Sequence, residues 1–132
     1  MKKNKKIMKS AVLGVVLSIF AMIGVGASSA SFSGYVPAYN GKAYTPSRIK
    51  STNGLIAYLV VDNQGNEEVT FRVGPFDGSN YGQGYIVSQS QMGKQIALNF
   101  KKEYRGKEVN AQYNNHNWTN HKGFISGTID YN

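Results

Sequence analysis

Short apolar runs bounded by turn residues recur along the chain after residue 30. Leu55–Val61 is apolar at every position, which favours a strand that crosses the middle of a sheet or is buried on both faces. The turn residues of Asp62–Asn66 follow, and apolar residues then alternate with polar ones over Val69–Val73. This succession predicts two strands that pair as a β-hairpin.

The second half of the chain repeats the alternation. Gly74–Gly84 contains four glycines and one proline, which predicts an exposed loop, and Tyr85–Gln89 predicts a strand after it. Further alternating runs lie at 96–100, 109–113 and 125–131. No segment after Ala30 keeps the apolar period of a long helix. The pattern therefore predicts an all-β fold, a small antiparallel sandwich or barrel of six to seven short strands.

The first thirty residues have a different character. Met1–Lys9 carries five lysines and no acidic residue. The uncharged apolar run Ala11–Val25 follows, and it is shorter than the roughly 20 residues that a membrane-spanning helix needs. Gly26–Ala30 then consists of small residues, which the active-site pocket of signal peptidase accepts. These three regions predict an N-terminal signal helix for export.

We expect residues 1–30 to be a signal peptide that is cleaved after Ala30, with cleavage after Ala27 as the alternative. Residues 31–132 would then form one secreted, extracellular β-sandwich domain. The chain contains no cysteine, which excludes disulfides, thiolate zinc sites and a cysteine nucleophile. An exported protein without cysteine suits a Gram-positive bacterium, where oxidative folding need not be assumed.

The net charge changes once the front segment is set aside. The chain has 15 Lys and Arg residues against 7 Asp and Glu residues, a formal net charge of +8. Without the five lysines of the first nine residues, 10 basic residues face 7 acidic ones, a net charge of +3. This charge does not predict a nucleic-acid partner. The basic residues of the C-terminal half, such as Lys101 and Lys122, are compatible with a weak attraction to anionic wall polymers or phospholipid.

Catalytic and metal-binding motifs are sparse. His116 and His121 lie five positions apart, but no carboxylate neighbour supplies the further ligand that a zinc or copper site needs. Asp62–Glu68 lacks the acidic residues of a calcium loop and suits a turn better. Adjacent carboxylates occur at Glu67 and Glu68, which a strand would point to opposite faces. No Gly-x-Ser-x-Gly motif is present. We therefore expect no cofactor and no enzymatic activity.

Aromatic residues in glycine-rich or polar segments are the candidate binding residues. A flat apolar ring with a polar tip can stack on a sugar or insert at a lipid interface, although such rings can also merely cover the ends of a sandwich. We expect these residues to contact a cell wall, a membrane surface or a protein partner. They are Tyr35, Tyr39, Tyr81, Tyr85 and Trp118.

The chain resembles a family of small secreted Firmicute proteins that is catalogued as a domain of unknown function. The likeness is carried by Tyr104–Val109, Asn114-Asn115 and the closing strand Phe124–Tyr131, with a further match at Thr45–Arg48. It spans about Phe32–Asn132, and a more distant likeness connects the chain to lactococcin-like bacteriocins. The resemblance implies secretion and a β-domain, and it implies no catalytic residue.

Together these observations predict a small secreted protein without enzymatic activity, bacteriocin-like or interacting with the cell envelope. Two alternatives stay open at this point. One is a small secreted hydrolase, which would require an Asp, His and Ser cluster formed by the fold. The other is a metal-binding extracellular module built around His116 and His121.

Overall fold

The computed structural model describes residues 28–132. In chain order the strands are β1 (Ser29–Val36), β2 (Ala43–Tyr44), β3 (Arg48–Ile49), β4 (Ile56–Gln64), β5 (Glu68–Pro75), β6 (Tyr85–Ser88), β7 (Gln95–Asn99), β8 (Glu108–Asn115) and β9 (Gly123–Asp130). A single 3₁₀ turn, Gln89–Gln91, separates β6 from β7 within this part of the chain. The described residues contain no helix that is long and apolar enough to cross a membrane.

The strands form two antiparallel sheets that pack together. Sheet one has the order β1-β9-β4-β7, and sheet two has the order β2-β8-β5-β6, with β3 also paired to β8. Seven of the described strands have four or more residues. The predicted all-β fold is thus confirmed and is a sandwich. Apart from positions 28–30, the predicted signal helix lies outside the described residues.

Sheet one is organised around its last strand. β9 pairs with β1 along its whole length, from Gly123 opposite Val36 to Asp130 opposite Ser29. Its other side pairs with β4, where the register shifts between Ser126 and Gly127. A Cβ atom at Gly127 would lie less than 3.0 Å from the carbonyl oxygen of Val60, so this close approach requires glycine.

The predicted hairpin is wrong, although both of its strands exist. β4 pairs with β9 and β7 in sheet one, whereas β5 pairs with β8 and β6 in sheet two. The segment after Gln64 therefore passes from one sheet to the other, where Gly65 donates its N–H to the carbonyl of Phe124 at 2.8 Å. The apolar pattern predicts a strand, but it does not specify which strand lies beside it.

The core joins the inner faces of the two sheets. Phe32 of sheet one lies 6.0 Å from Phe71 and 5.8 Å from Tyr113 of sheet two, measured between ring centroids. Phe71 and Tyr113 are themselves 5.4 Å apart. This trio of rings is surrounded by buried aliphatic residues of both sheets. Large aromatic rings supply much apolar area in a core that has no disulfide.

Polar groups are buried at the end of the sandwich where β9 finishes. The hydroxyl of Tyr131 donates to the carbonyl of Pro46 at 3.0 Å and also pairs with the hydroxyl of Thr45. The Lys50 ammonium donates to the main-chain oxygens of Thr52 and Asn132, each at 3.1 Å. Lys50 and Tyr131 have no exposed surface, so these bonds fix the segment before β4 to the last residues of the chain.

We predict that Tyr131→Phe lowers the free energy of unfolding at pH 8 by about 1–3 kcal/mol, because the buried Pro46 carbonyl loses its donor and the Thr45 hydroxyl loses one of its hydrogen bonds. Urea unfolding measures this change. The exposed Tyr58 offers a matched control. Tyr58→Phe should change the free energy of unfolding by no more than about 0.5 kcal/mol.

The same variant should change how the free energy of unfolding depends on pH in the alkaline range. Burial raises the pKa of Tyr131 above the ordinary value of 10.0, so the unfolded chain loses this proton first. The free energy of unfolding therefore falls as the pH rises above about 10, by up to about 1.4 kcal/mol per pH unit for one such group. Tyr131→Phe should make this decline shallower, and an unchanged slope would contradict the assignment.

Candidate functional site

Two loops meet at the end of the sandwich opposite Tyr131. The loop 37–42 follows β1, and the loop 116–122 connects β8 to β9. The Tyr39 N–H donates to the carbonyl of Thr119 at 2.7 Å, which joins the two loops. Since Val36 and Gly123 are paired in the sheet, both loops leave the same edge of the fold.

This end presents four exposed aromatic side chains, and we call it the aromatic end: Tyr35, Tyr39, Trp118 and Phe124. The Tyr39 and Trp118 rings are 5.3 Å apart, and these side chains are 63% and 65% exposed. Tyr35 and Phe124 face each other across β1 and β9 with their rings edge to face at 5.9 Å. Exposed rings grouped in this way are the kind of apolar surface that marks an interaction site.

Tyr39 occupies an unfavourable backbone conformation. Its φ is +58°, and that of Asn40 is +59°. Gly41 donates its N–H to the carbonyl of Ala38 at 3.1 Å, so the four residues make a tight turn with the φ signs of type I′. A bulky residue is rare at positive φ, where it costs roughly 1–3 kcal/mol, and such strain concentrates at functional sites.

A buried amide network supports the two loops from below. The Asn115 amide donates to the carbonyl of Pro37 at 3.1 Å and accepts a hydrogen bond from the Asn66 amide. A Cβ atom at Gly123 would come within 3.0 Å of Asn66, so the side chain of Asn66 fits only beneath a glycine. Asn115 and Asn66 are both buried, and their pairing fixes where the chain leaves β1.

Positive charge accompanies the rings. The Lys122 ammonium lies 4.5 Å from the centre of the Tyr35 ring, a cation–π geometry, and Lys42 ends the other loop. Neither loop contains an acidic residue. The Glu68 carboxylate on β5 accepts a hydrogen bond from the Asn117 side chain at 3.2 Å. The two loops therefore carry positive charge and no negative charge of their own.

The two histidines do not form a described metal site. His116 Nδ1 lies 3.4 Å from the Thr70 hydroxyl, and His121 Nδ1 lies 2.9 Å from the Thr119 hydroxyl. Among residues 28–132, no group of three or more His, Cys, Asp or Glu side chains is placed to hold a metal ion. Hydroxyl partners fix the orientation of an imidazole but do not activate it as a carboxylate would.

The structure brings Tyr35, Tyr39 and Trp118 together and places the other two candidates elsewhere. Tyr81 is half-buried and donates to the amide oxygen of Asn110 at 2.6 Å, and burial raises the pKa of its phenol to about 12. It borders an open depression of about 480 Å³ near Lys101. Tyr85 lies on β6, the edge strand of sheet two, where it pairs with Phe71.

Sequence reasoning missed Phe124 and the role of Lys122. Phe124 and Ile125 are adjacent apolar residues at the start of a strand, and strand alternation sends one of them outward. Ile125 is buried and Phe124 is 43% exposed. That local signal was present in the sequence, whereas the position of Lys122 over Tyr35 depends on the pairing of β1 with β9.

Comparisons with known proteins add no assignment to this site. A scan against protein-family models, a search of curated proteins and a search of solved structures each found no match to the chain. The resemblance to the secreted Firmicute family therefore stays a prediction. The case for function depends on the geometry of the aromatic end.

We predict that Asn115→Ala lowers the free energy of unfolding by about 1–3 kcal/mol, since it leaves the Asn66 amide and the Pro37 carbonyl unpaired. It should also loosen the loops, which makes Trp118 more accessible to acrylamide. Trp118 is the only tryptophan of the chain, so its fluorescence reports on this end alone.

The matched control is Asn117→Ala, which removes an exposed amide from the same region. We expect it to change stability by less than about 0.5 kcal/mol. If both variants had equal effects on stability and quenching, the buried network would not be what holds the loops.

Proposed function

We propose that this protein is an exported, non-enzymatic β-sandwich that binds an anionic glycopolymer of the bacterial cell envelope through the aromatic end. The observation that carries the proposal is the exposed contact between Trp118 and Tyr39, whose backbone is strained, on two loops that each end in a lysine. The predicted signal peptide supports it, since it would deliver the domain to the envelope.

The chemistry of the rings suits a sugar. One face of a pyranose carries C–H groups, and these pack well on a flat aromatic ring. Tyr39 and Trp118 supply two such rings, and the Tyr hydroxyl and the indole N–H stay free to bond sugar hydroxyls. Both side chains are already ordered by their contact and by the loop hydrogen bond. Binding therefore costs less conformational entropy than it would for two side chains that move freely.

The charge favours an acidic polymer over a neutral one. Lys42 and Lys122 lie at the ends of the two loops that carry the rings. Phosphate or carboxylate groups along a wall polymer would meet both ammonium groups while a sugar unit contacts the rings. Attraction between exposed charges is screened by salt over about 10 Å at 0.1 M, so binding should weaken as ionic strength rises.

A bacteriocin-like activity is compatible with this surface, because attachment to the envelope would precede any effect on the target cell. The hydrolase alternative has weaker support. The described contacts of His116 and His121 are to hydroxyl and amide groups of neighbouring side chains. The metal-binding alternative would need a ligand set that residues 28–132 do not assemble.

Sedimentation with isolated Gram-positive walls tests the proposal. We expect the purified secreted protein to sediment with intact walls, and to lose most of this binding when the anionic polymers are extracted or the salt is raised to 1 M. Vesicles of anionic phospholipid form a separate arm. Binding to vesicles alone would identify a membrane as the partner and would overturn the wall-polymer proposal.

We predict that the double variant Tyr39→Ala/Trp118→Ala binds walls at least about tenfold more weakly, equivalent to about 1.4 kcal/mol. Because both rings are exposed, the fold should be retained. The matched control is Phe76→Ala. Phe76 is 54% exposed but follows β5 at the opposite end of the sandwich. Equal binding by the two variants would remove the aromatic end from the mechanism.

A further inference from the structure

We infer that the exported chain is processed at the Ala27–Ser28 peptide bond, so that the mature protein starts at Ser28. The inference depends on the predicted signal peptide, and it is independent of what the aromatic end binds. The observations that carry it are the contacts of Ser28, Ser29 and Ala30, three residues that processing after Ala30 would remove.

Ser29 and Ala30 are the first two residues of β1 and belong to the sheet. Ala30 pairs with Ile129, and Ser29 pairs with Asp130. The Ala30 side chain is 4% exposed and forms part of the core. Removal of these residues would leave the last two residues of β9 without a neighbour on this side and would uncover the buried Ile129.

Three further hydrogen bonds end on the same short segment. The Tyr131 N–H donates to the Ser28 carbonyl at 3.0 Å, and the Arg48 side chain donates to the Ser29 carbonyl at 3.0 Å. The Ser28 hydroxyl donates to the Asp130 carboxylate at 3.1 Å. Tyr131 is fully buried, so its N–H would lose its partner in a place that water reaches poorly.

Ser28 makes native contacts of its own, so we place processing on its N-terminal side. The residues before the bond suit a signal peptidase, because Ala27 is small and Val25 carries no long or charged side chain. Ser28 and Ala30 would satisfy the same preference for the later bond, so the sequence alone leaves two sites open. The need for a complete β1 decides between them.

The reaction is hydrolysis by a membrane-bound signal peptidase of the exporting cell. One water molecule is consumed as the Ala27–Ser28 bond breaks. The carbonyl carbon of Ala27 becomes a carboxylate on the released peptide, and the nitrogen of Ser28 becomes the α-ammonium group of the mature chain. The Ser28 hydroxyl donates to the Asp130 carboxylate, so the new α-ammonium group lies near a negative charge. That charge stabilises the ammonium group.

N-terminal sequencing and intact mass of the protein secreted from the full-length chain test the inference. We expect a single N-terminus at Ser28. A mature chain that begins at Ser31, or at any other residue, overturns the inference while leaving export and envelope binding unaffected. Retention of an uncleaved chain in the cells would instead overturn the export prediction itself.

Two substitutions of Ala27 distinguish cleavage after Ala27 from cleavage after Ala30. Ala27→Phe places a large side chain directly before the Ala27–Ser28 bond, where the peptidase pocket admits only small groups. Because the later bond also has small residues before it, we expect this variant to be cleaved there and to start at Ser31, whereas Ala27→Ser should still start at Ser28. If the later bond were used, Ala27 would lie outside the pocket and both variants would be processed alike.

Discussion

The insertion of β9 between β1 and β4 is the constraint on which the rest of the structure depends. Without it, the first long strand of the described chain has no partner in sheet one, and β4 keeps only β7. The two strands that pair with β9 come far earlier in the chain, so sheet one forms only through contacts that are distant in sequence. Closing such long loops costs conformational entropy before the strands can pair, so we expect the domain to fold slowly.

The two ends of β9 also fix the positions of the residues that surround them at each end of the sandwich. At its first residue, Gly123 lies over Asn66, and the loop before it meets the loop that follows β1. At its last residue, the Asp130 carboxylate accepts a hydrogen bond from the hydroxyl of Ser28. The register that buries Ile125 and Ile129 thus also sets the position of the aromatic end and the point at which β1 starts.

Alternation in the sequence predicted most strands because it follows from local geometry. It did not predict the partners of β4 and β5, since two neighbouring amphipathic strands can form a hairpin or pass between two sheets with the same pattern. β1 was not predicted because serine occupies three of its four outward positions and Gly34 occupies one of its inward positions. The same local signals identified Tyr39 and Trp118 as exposed, but only tertiary structure shows that they are adjacent.

The turn at Tyr39 indicates why this ring is present. A type I′ turn favours Asn-Gly at its two central positions, because both need positive φ. Here the chain runs Ala-Tyr-Asn-Gly, and the glycine comes one residue after the strained pair. A sequence optimised for stability would shift asparagine and glycine back by one place and lose the tyrosine. Local conflicts of this kind concentrate where function needs a particular side chain, which makes Tyr39 the central residue of the binding role that we propose for this end.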